Sequence, residues 1–203
     1  MTSATAKDRE SGQVSVDRQA QEQQWAAEAR QGDRDAFMQL VQAYQRPVYN
    51  LCYRMLGDAA EAEDAAQETF LRAYTRLRTY QPGRKFSSWI LSIASHYCID
   101  HLRKQRYHQV PWDDLPPDRM LSASDPEPEQ AALSRERDRS VHQLLDTLPA
   151  EYRLAVILRY WHNMSYEEIA VLMETTVSAV KSRLFRARQM MAKQARQTGG
   201  ADQ

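Results

Sequence analysis

The sequence has only two cysteines, Cys52 and Cys98, which lie far apart and outside any CxxC or Cys/His cluster. That argues against a disulfide scaffold or a zinc site, and both read as buried thiols. No apolar run is long enough to span a bilayer. The opening MTSATAKDRESGQVSVDRQAQEQQ lacks the apolar centre of a secretory signal. A cytoplasmic chain with no membrane insertion is therefore expected. P-loop, GxSxG and HExxH motifs are all missing, and the five histidines are scattered. Those absences leave no reason to expect catalysis, a cofactor or a metal. Period-two alternation is scarce, which argues against strands and against a receiver-type alternation of strand and helix. Net charge is absent too, with 27 basic residues balancing 27 acidic ones.

The balance is only global. Residues 1–24 carry net −1, residues 25–108 net +3, residues 109–140 net −4 and residues 141–203 net +2. Within Val177–Arg196 there are six basic residues and no acid. A neutral chain can bind nucleic acid when its positive charge is local.

The chain divides by composition. Residues 1–24 lack aromatics and periodicity and are expected to form a disordered extension. Residues 25–108 read as helical, with breakers at Gly32, Pro47, Gly57 and Pro82-Gly83. Residues 109–129 hold VPWDDLPPDRMLSASDPEPE, with five prolines and one Arg among the acids, and read as a linker. Asp125-Pro126-Glu127-Pro128 looks like a helix start. Helical text fills 130–196, and 197–203 is a tail. The expected fold is all-α: two small helical domains joined by an acidic, proline-rich tether.

Ser165–Arg188 reads SYEEIAVLMETTVSAVKSRLFRAR. Ser165 and Glu168 form a capping box, and Thr175 or Thr176 can cap the next helix. Val177, Val180, Leu184, Ala187 and Met191 recur at steps of three and four and make its buried stripe. Ser178, Lys181, Ser182, Arg183, Arg186 and Arg188 occupy the rest of the circumference. A short helix, a tight turn and a second helix with a basic face make a helix-turn-helix pattern. Such a helix fits the major groove, where Arg or Lys reaches guanine and the remaining cations hold phosphates. Glu174 departs from the pattern, because such turns favour glycine there.

In Asp58–Leu77, Ala62, Ala66, Thr69, Phe70, Ala73 and Leu77 share one arc. Glu61, Asp64 and Glu68 line nearly the opposite one, with Arg72 extending the row. The acids read either as a solvated face or as a docking stripe for a basic partner. The following loop, Tyr80-Gln81-Pro82-Gly83-Arg84-Lys85, offers an aromatic, an amide, a glycine and two cations. Those groups suit a splayed-out single-stranded base. On the next helix Phe86, Trp89, Ile90, Ile93, Ala94 and Tyr97 form an apolar face, with Ser92, Ser95, His96, Arg103 and Arg106 expected opposite.

AEDAAQETFLRAY…FSSWILSIASHYCIDHLRKQR resembles conserved region 2 of bacterial sigma factors. LLDTLPAEYRLAVILRYWHNMSYEEIAVLMETTVSAVKSRLFRAR resembles region 4. With only these two regions and a short acidic linker, the chain resembles the extracytoplasmic-function class. The resemblance implies an initiation factor for core RNA polymerase that recognises promoter DNA, assists its opening and is held by an anti-sigma factor. It implies core docking through Glu61, Asp64, Gln67 and Glu68. It implies capture of the melted −10 element by Tyr80, Gln81, Gly83, Arg84, Lys85, Trp89, His96, Arg103 and Arg106. The family often has Asn at the place of His96. Reading of the −35 element falls on Ser178, Ala179, Lys181, Ser182, Arg183, Arg186 and Arg188. The family's linker passes near the RNA path, so the resemblance implies that Asp113, Asp114 and Asp118 could mimic nucleic acid there with Trp112 as an anchor, while a plain solvated tether fits the composition equally well. A conventional helix-turn-helix regulator would explain residues 165–188 but leave the first block idle. A helical interaction protein, such as an anti-sigma factor or adaptor, would show no promoter-specific binding.

Overall fold

Each helix boundary has a local cause. The computed structural model describes residues 19–108 and 140–199, and no strand occurs among them. Residues 19–30 form α1. Helix α2 (Arg34–Leu56) opens at Asp33, whose carboxylate accepts from the backbone N–H groups of Asp35 and Ala36. It closes at Gly57, whose φ of 80° lies in the left-handed region that glycine occupies without strain. Asp58 then caps α3 (Ala59–Arg76) by accepting from Glu61 N–H at 2.9 Å. A 3₁₀ turn at Leu77–Thr79 leads through the 80–85 loop to α4 (Phe86–His108).

The second group begins with α5 (residues 140–146). It continues with α6 (Ala150–Tyr160), α7 (Tyr166–Leu172) and α8 (Val177–Gly199).

Three elements differ from the sequence expectations. Residues 19–24, expected within a disordered extension, belong to α1. Glu22 is only 9% exposed and accepts from the Tyr44 hydroxyl at 2.6 Å, while Ala26 is fully buried. A polar, aromatic-free segment is thus ordered by a tertiary contact. Pro47 does not break α2, because Tyr44, Val48 and Leu51 on either side are all buried. Their packing outweighs an interior-proline cost of about 3 kcal/mol. At the far end α8 extends to Gly199, into the expected tail. The linker acids, Trp112 and the helix start at 125–128 lie outside the described residues.

Helix α3 packs through small side chains: Ala62, Ala65, Ala66, Thr69 and Ala73 are its buried residues. That allows close approach to α2 and α4. In the second group Leu145, Leu154, Ile157, Leu158, Ile169, Val180 and Leu184 are buried. The two groups are not separate in the structure. Their apolar residues form one continuous cluster, with α2 against α6 and α4 against both α6 and α7.

The polar centre of that seam is Arg153, 8% exposed. Its Nη1 donates to Met55 O at 2.6 Å and stands 3.0 Å from Asp146 Oδ1. Met55 lies in the last turn of α2, where helix carbonyls lack intrahelical donors and carry partial negative charge. A guanidinium there satisfies an orphaned acceptor and gains a partner for its own buried charge.

Candidate nucleic-acid and polymerase interfaces

The helix-turn-helix is built as its spacing requires. Ser165 Oγ accepts from Glu168 N–H at 3.1 Å, and the Glu168 carboxylate accepts from Ser165 N–H at 2.8 Å, completing the capping box. Thr176 Oγ1 accepts from Ala179 N–H at 3.2 Å at the start of α8. Glu174 has φ 50°, so this turn takes the left-handed conformation without a glycine.

Val180, Leu184 and Ala187 of α8 are buried, with Val177 and Met191 packed against the core. The opposite face presents Ser178, Ser182, Phe185, Arg186 and Gln189, all exposed. Lys181 and Arg188 flank it on one side, with the Lys181 ammonium 5.8 Å from the centre of the Tyr166 ring. Ala179 and Arg183 flank it on the other. Arg183 differs from its neighbours: its Nη2 pairs with Glu151 at 2.6 Å, and its side chain is 22% exposed. Arg186 reaches the Tyr152 hydroxyl at 3.5 Å.

Sequence reasoning on charge alone omitted Phe185, which is 55% exposed on this face. Its signal was available: an aromatic one residue after the stripe position Leu184 falls outside the buried arc. An exposed aromatic among serines and arginines adds an apolar contact suited to a thymine methyl.

The second surface is the 80–85 loop with α4. Gln81, Gly83, Arg84 and Lys85 are exposed, and Gly83 has φ 91° with open space around it. Tyr80 sits differently from the open stacking ring that the loop suggested. It is 2% exposed, packs against Phe86 and Trp89, and donates its hydroxyl proton to Arg84 O. Burial, with Glu22 second, raises its pKa. Tyr80 thereby supports the loop from below. Trp89 is half-buried, and His96 has a 54% exposed side chain. Arg103 is exposed about two turns further on and pairs with Asp100 at 3.6 Å. The side chain of Arg106 lies outside the described residues. Ser95, expected on the polar side of α4, is 1% exposed, one turn from the buried Leu91 and Cys98 and so on the buried arc of the helix.

The acidic row of α3 divides in two. Glu61 turns toward α4, 3.5 Å from His101 Nε2, and accepts from Gln105 at 3.0 Å. Glu68 pairs with Arg72 at 2.6 Å. Asp64 and Gln67 are exposed, and Leu71 and Tyr74 continue their line, 59% and 46% exposed. Leu71 and Tyr74 also escaped sequence reasoning, which sought charge. The result is a stripe that is polar at one end and apolar at the other.

Other chemistry is sparse. Among the described residues no group of three or more His, Cys, Asp or Glu side chains could hold a metal ion. No described helix is long and apolar enough to cross a membrane. Cys52 and Cys98 are fully buried, and the Cys98 thiol is pushed up by its hydrogen bond with Cys52 and by burial. That disfavours a reactive thiolate.

Comparison with known proteins gives two family matches. Sigma-70 region 2 matches residues 40–107, and Sigma-70, region 4 matches residues 138–191. The ECF RNA polymerase sigma factor SigW of Bacillus subtilis is 37% identical over 175 residues, covering 83% of this chain and 94% of SigW. The RNA polymerase sigma-H factor of Pseudomonas aeruginosa is 36% identical over 188 residues, covering 86% and 94%. Among solved structures, CnrH in complex with the cytosolic domain of CnrY shares the fold with a TM-score of 0.66 at 23% identity. That match covers 90% of this chain and 99% of CnrH. The sigma factor RpoE of Bartonella quintana, solved in complex with the anti-sigma factor NepR, gives a TM-score of 0.59 at 20% identity. It covers 77% of this chain and 94% of that one.

Proposed function

The chain belongs to the extracytoplasmic-function group of sigma-70 factors, and from that premise we propose how its surfaces divide the work of transcription initiation. As a sigma factor it serves core RNA polymerase at promoter DNA, and the polymerase supplies the catalysis. Such work belongs in the cytoplasm.

In this reading α8 enters the major groove of the −35 element. Ser178, Ser182, Phe185 and Arg186 face base edges. Lys181 and Arg188 hold phosphates, with Ala179 giving close approach. Arg183 must release Glu151 to join them. The loop Gln81–Lys85, supported by Tyr80, captures the opened −10 strand with Trp89 and His96, while Arg103 and Arg106 follow its backbone. Asp64 and Gln67, with Leu71 and Tyr74, dock on the polymerase. Glu61 and Glu68 shape that stripe through their pairs with α4 and Arg72.

The observation that carries the reading is the exposed face of α8: a polar and aromatic centre flanked by cations, on a helix fixed by a capping box and a turn. An anti-sigma partner is also proposed, since the two solved relatives were captured with CnrY and NepR.

Purified chain and bacterial core polymerase, transcribing a pooled promoter library, test the reading. Promoter-specific transcripts that require the chain and fall with Asp64→Arg are expected. Sequence-specific binding by the chain alone, without any transcription, would instead indicate a conventional helix-turn-helix regulator.

A further inference from the structure

A cationic hollow on the first helical group lies apart from every surface assigned so far. It is open, measures about 440 Å³, and is lined by Ala27, Arg30 and Gln31 from the end of α1 and by Arg78 from the 3₁₀ turn after α3. Arg30, Gln31 and Arg78 are exposed. Among the described residues neither guanidinium has a hydrogen-bond or ion-pair partner. The acids nearest to Arg30 in sequence are engaged elsewhere. Glu28 accepts from Gln24 at 3.0 Å, and Asp33 spends its carboxylate on the start of α2. Beside Gln31 the chain turns at Gly32, which has φ 103° and open space where a side chain would stand. Backbone there is free for close approach.

A cation is favoured at a helix C-terminus, which accounts for Arg30 on α1 and Arg78 on its turn taken singly. It does not account for two guanidiniums from separate elements lining one hollow with no carboxylate between them. Like charges so placed repel, and the arrangement becomes favourable when an anion lies between them.

Position says which anion. Thr79 follows Arg78 and lines a second cavity, of about 240 Å³, together with Gln81 and Arg84 of the strand-capturing loop. Consecutive Cα atoms are about 3.8 Å apart, so the two hollows meet at the 3₁₀ turn. On its other side the loop leads into α4, along which Arg103 is exposed. The hollow at Arg30 and Arg78 has no aromatic ring on which a base would stack. Cations without a base platform suit a phosphate backbone.

We propose that Arg30 and Arg78 hold the phosphodiester backbone of the opened DNA strand where it runs past the −10 element. The bases there go unread, so the contact adds affinity and register without sequence choice. The strand thus crosses the first group from α4, through the 80–85 loop, to the end of α1. This rests on the −10 assignment of that loop.

The test uses holoenzyme, formed from core polymerase and the full chain, with single-stranded DNA carrying the −10 sequence that the promoter library selects. One strand ends at that element, and others continue past it on either side. The variant is Arg30→Gln with Arg78→Gln, two exposed positions outside the core. The parent should bind the strand that reaches the hollow more tightly than the short one. In the variant, affinity for that longer strand should fall roughly tenfold at about 0.15 M salt. The slope of log affinity against log salt should fall by about 1.4, since each strand phosphate contributes about 0.7. The loss should be the same for every flanking sequence, and the short strand should bind parent and variant equally. Unchanged affinity and slope overturn the proposal. So does a loss confined to one flanking sequence, which means base reading. An equal loss on the short strand also overturns it, because the arginines would then belong to the −10 site itself. A weaker hold on core polymerase, read by displacement of fluorescent parent chain, would make the hollow a protein-docking surface instead. Arg84→Ala on the short strand separates these failures from that of the −10 reading. If short-strand binding drops, that reading stands and the arginine pair alone judges the extension. If it is unchanged, the −10 reading falls and takes the extension with it.

Discussion

Replacing Arg153 with Met tests what holds the two helical groups together. The substitution keeps an unbranched apolar stem, so the packing of the alkyl chain is largely retained. Besides a long 3.2 Å hydrogen bond from Nη2 to Asp146 O, two closer interactions disappear. The first is the 2.6 Å hydrogen bond from Nη1 to Met55 O, which joins α6 to the end of α2. A bond to a charged group is worth about 1.5–3 kcal/mol, and here its loss strands a carbonyl at a helix end. The second is the 3.0 Å pair with Asp146, whose side chain is 37% exposed. That carboxylate recovers water when the guanidinium leaves, so its share is well under 1 kcal/mol. The expected loss is about 2 kcal/mol, assigned mainly to the contact between groups. Urea titration followed by tryptophan fluorescence measures it, since Trp161 lies at the seam with the Arg54 guanidinium 4.9 Å from its ring centre. Asp146→Asn is the control and should change stability far less. Equal losses in the two variants would refute the reasoning, because the ion pair within the second group would then carry the effect. A loss of under about 0.5 kcal/mol in Arg153→Met would show that Met55 O is served equally well by water.

Three further outcomes are expected. Arg186→Ala should cost about 1–3 kcal/mol on the preferred −35 duplex and relax base choice at one position; an equal loss on every duplex in a binding selection would make Arg186 a phosphate contact. Glu174→Gly should raise the unfolding free energy from urea titration by about 0.5–1 kcal/mol once glycine's extra chain entropy is deducted; an unchanged or lower value would mean that the left-handed turn stores no strain. His162 sets a pH dependence. Burial first, and then the Arg54 charge, lower its pKa to about 4, and its Nε2 is buried without a partner among the described residues. The unfolded chain therefore binds this proton more readily. Stability is complete above about pH 6.5 and declines as pH falls toward 4, by about 3 kcal/mol at most. His162→Gln should flatten that decline. Glu168 does not compete in this window: burial pushes its carboxyl up, but hydrogen bonds from Lys85 and Ser165 outweigh that and hold it below its ordinary value.

What was legible in the sequence was local. The capping box at Ser165 and Glu168, the cap at Asp58 and the three-and-four spacing of Val180, Leu184 and Ala187 each depend on residues within two turns, and each is present. The departures all involve contacts distant along the chain. Residues 19–24 are helical because Tyr44 bonds Glu22, and Tyr80 is buried because Phe86 and Trp89 fold over it. Ser95 is hidden although its helix position looked polar. In the candidate sites, charge was easy to read and its availability was not. Arg183 and Glu61 carry the right charge but spend it on Glu151 and His101. The exposed apolar residues Phe185, Leu71 and Tyr74 complete faces that charge alone left unfinished.

The seam between the groups joins apolar packing with a small set of polar contacts. Its identified polar contacts sum to a few kcal/mol: about 2 for Arg153 and at most about 1 for each exposed pair. The apolar cluster shared by α2, α4, α6 and α7 adds to those contacts, and burial of apolar surface is the larger contribution to packing of this kind. Removing Arg153 alone therefore weakens the seam without parting the two groups.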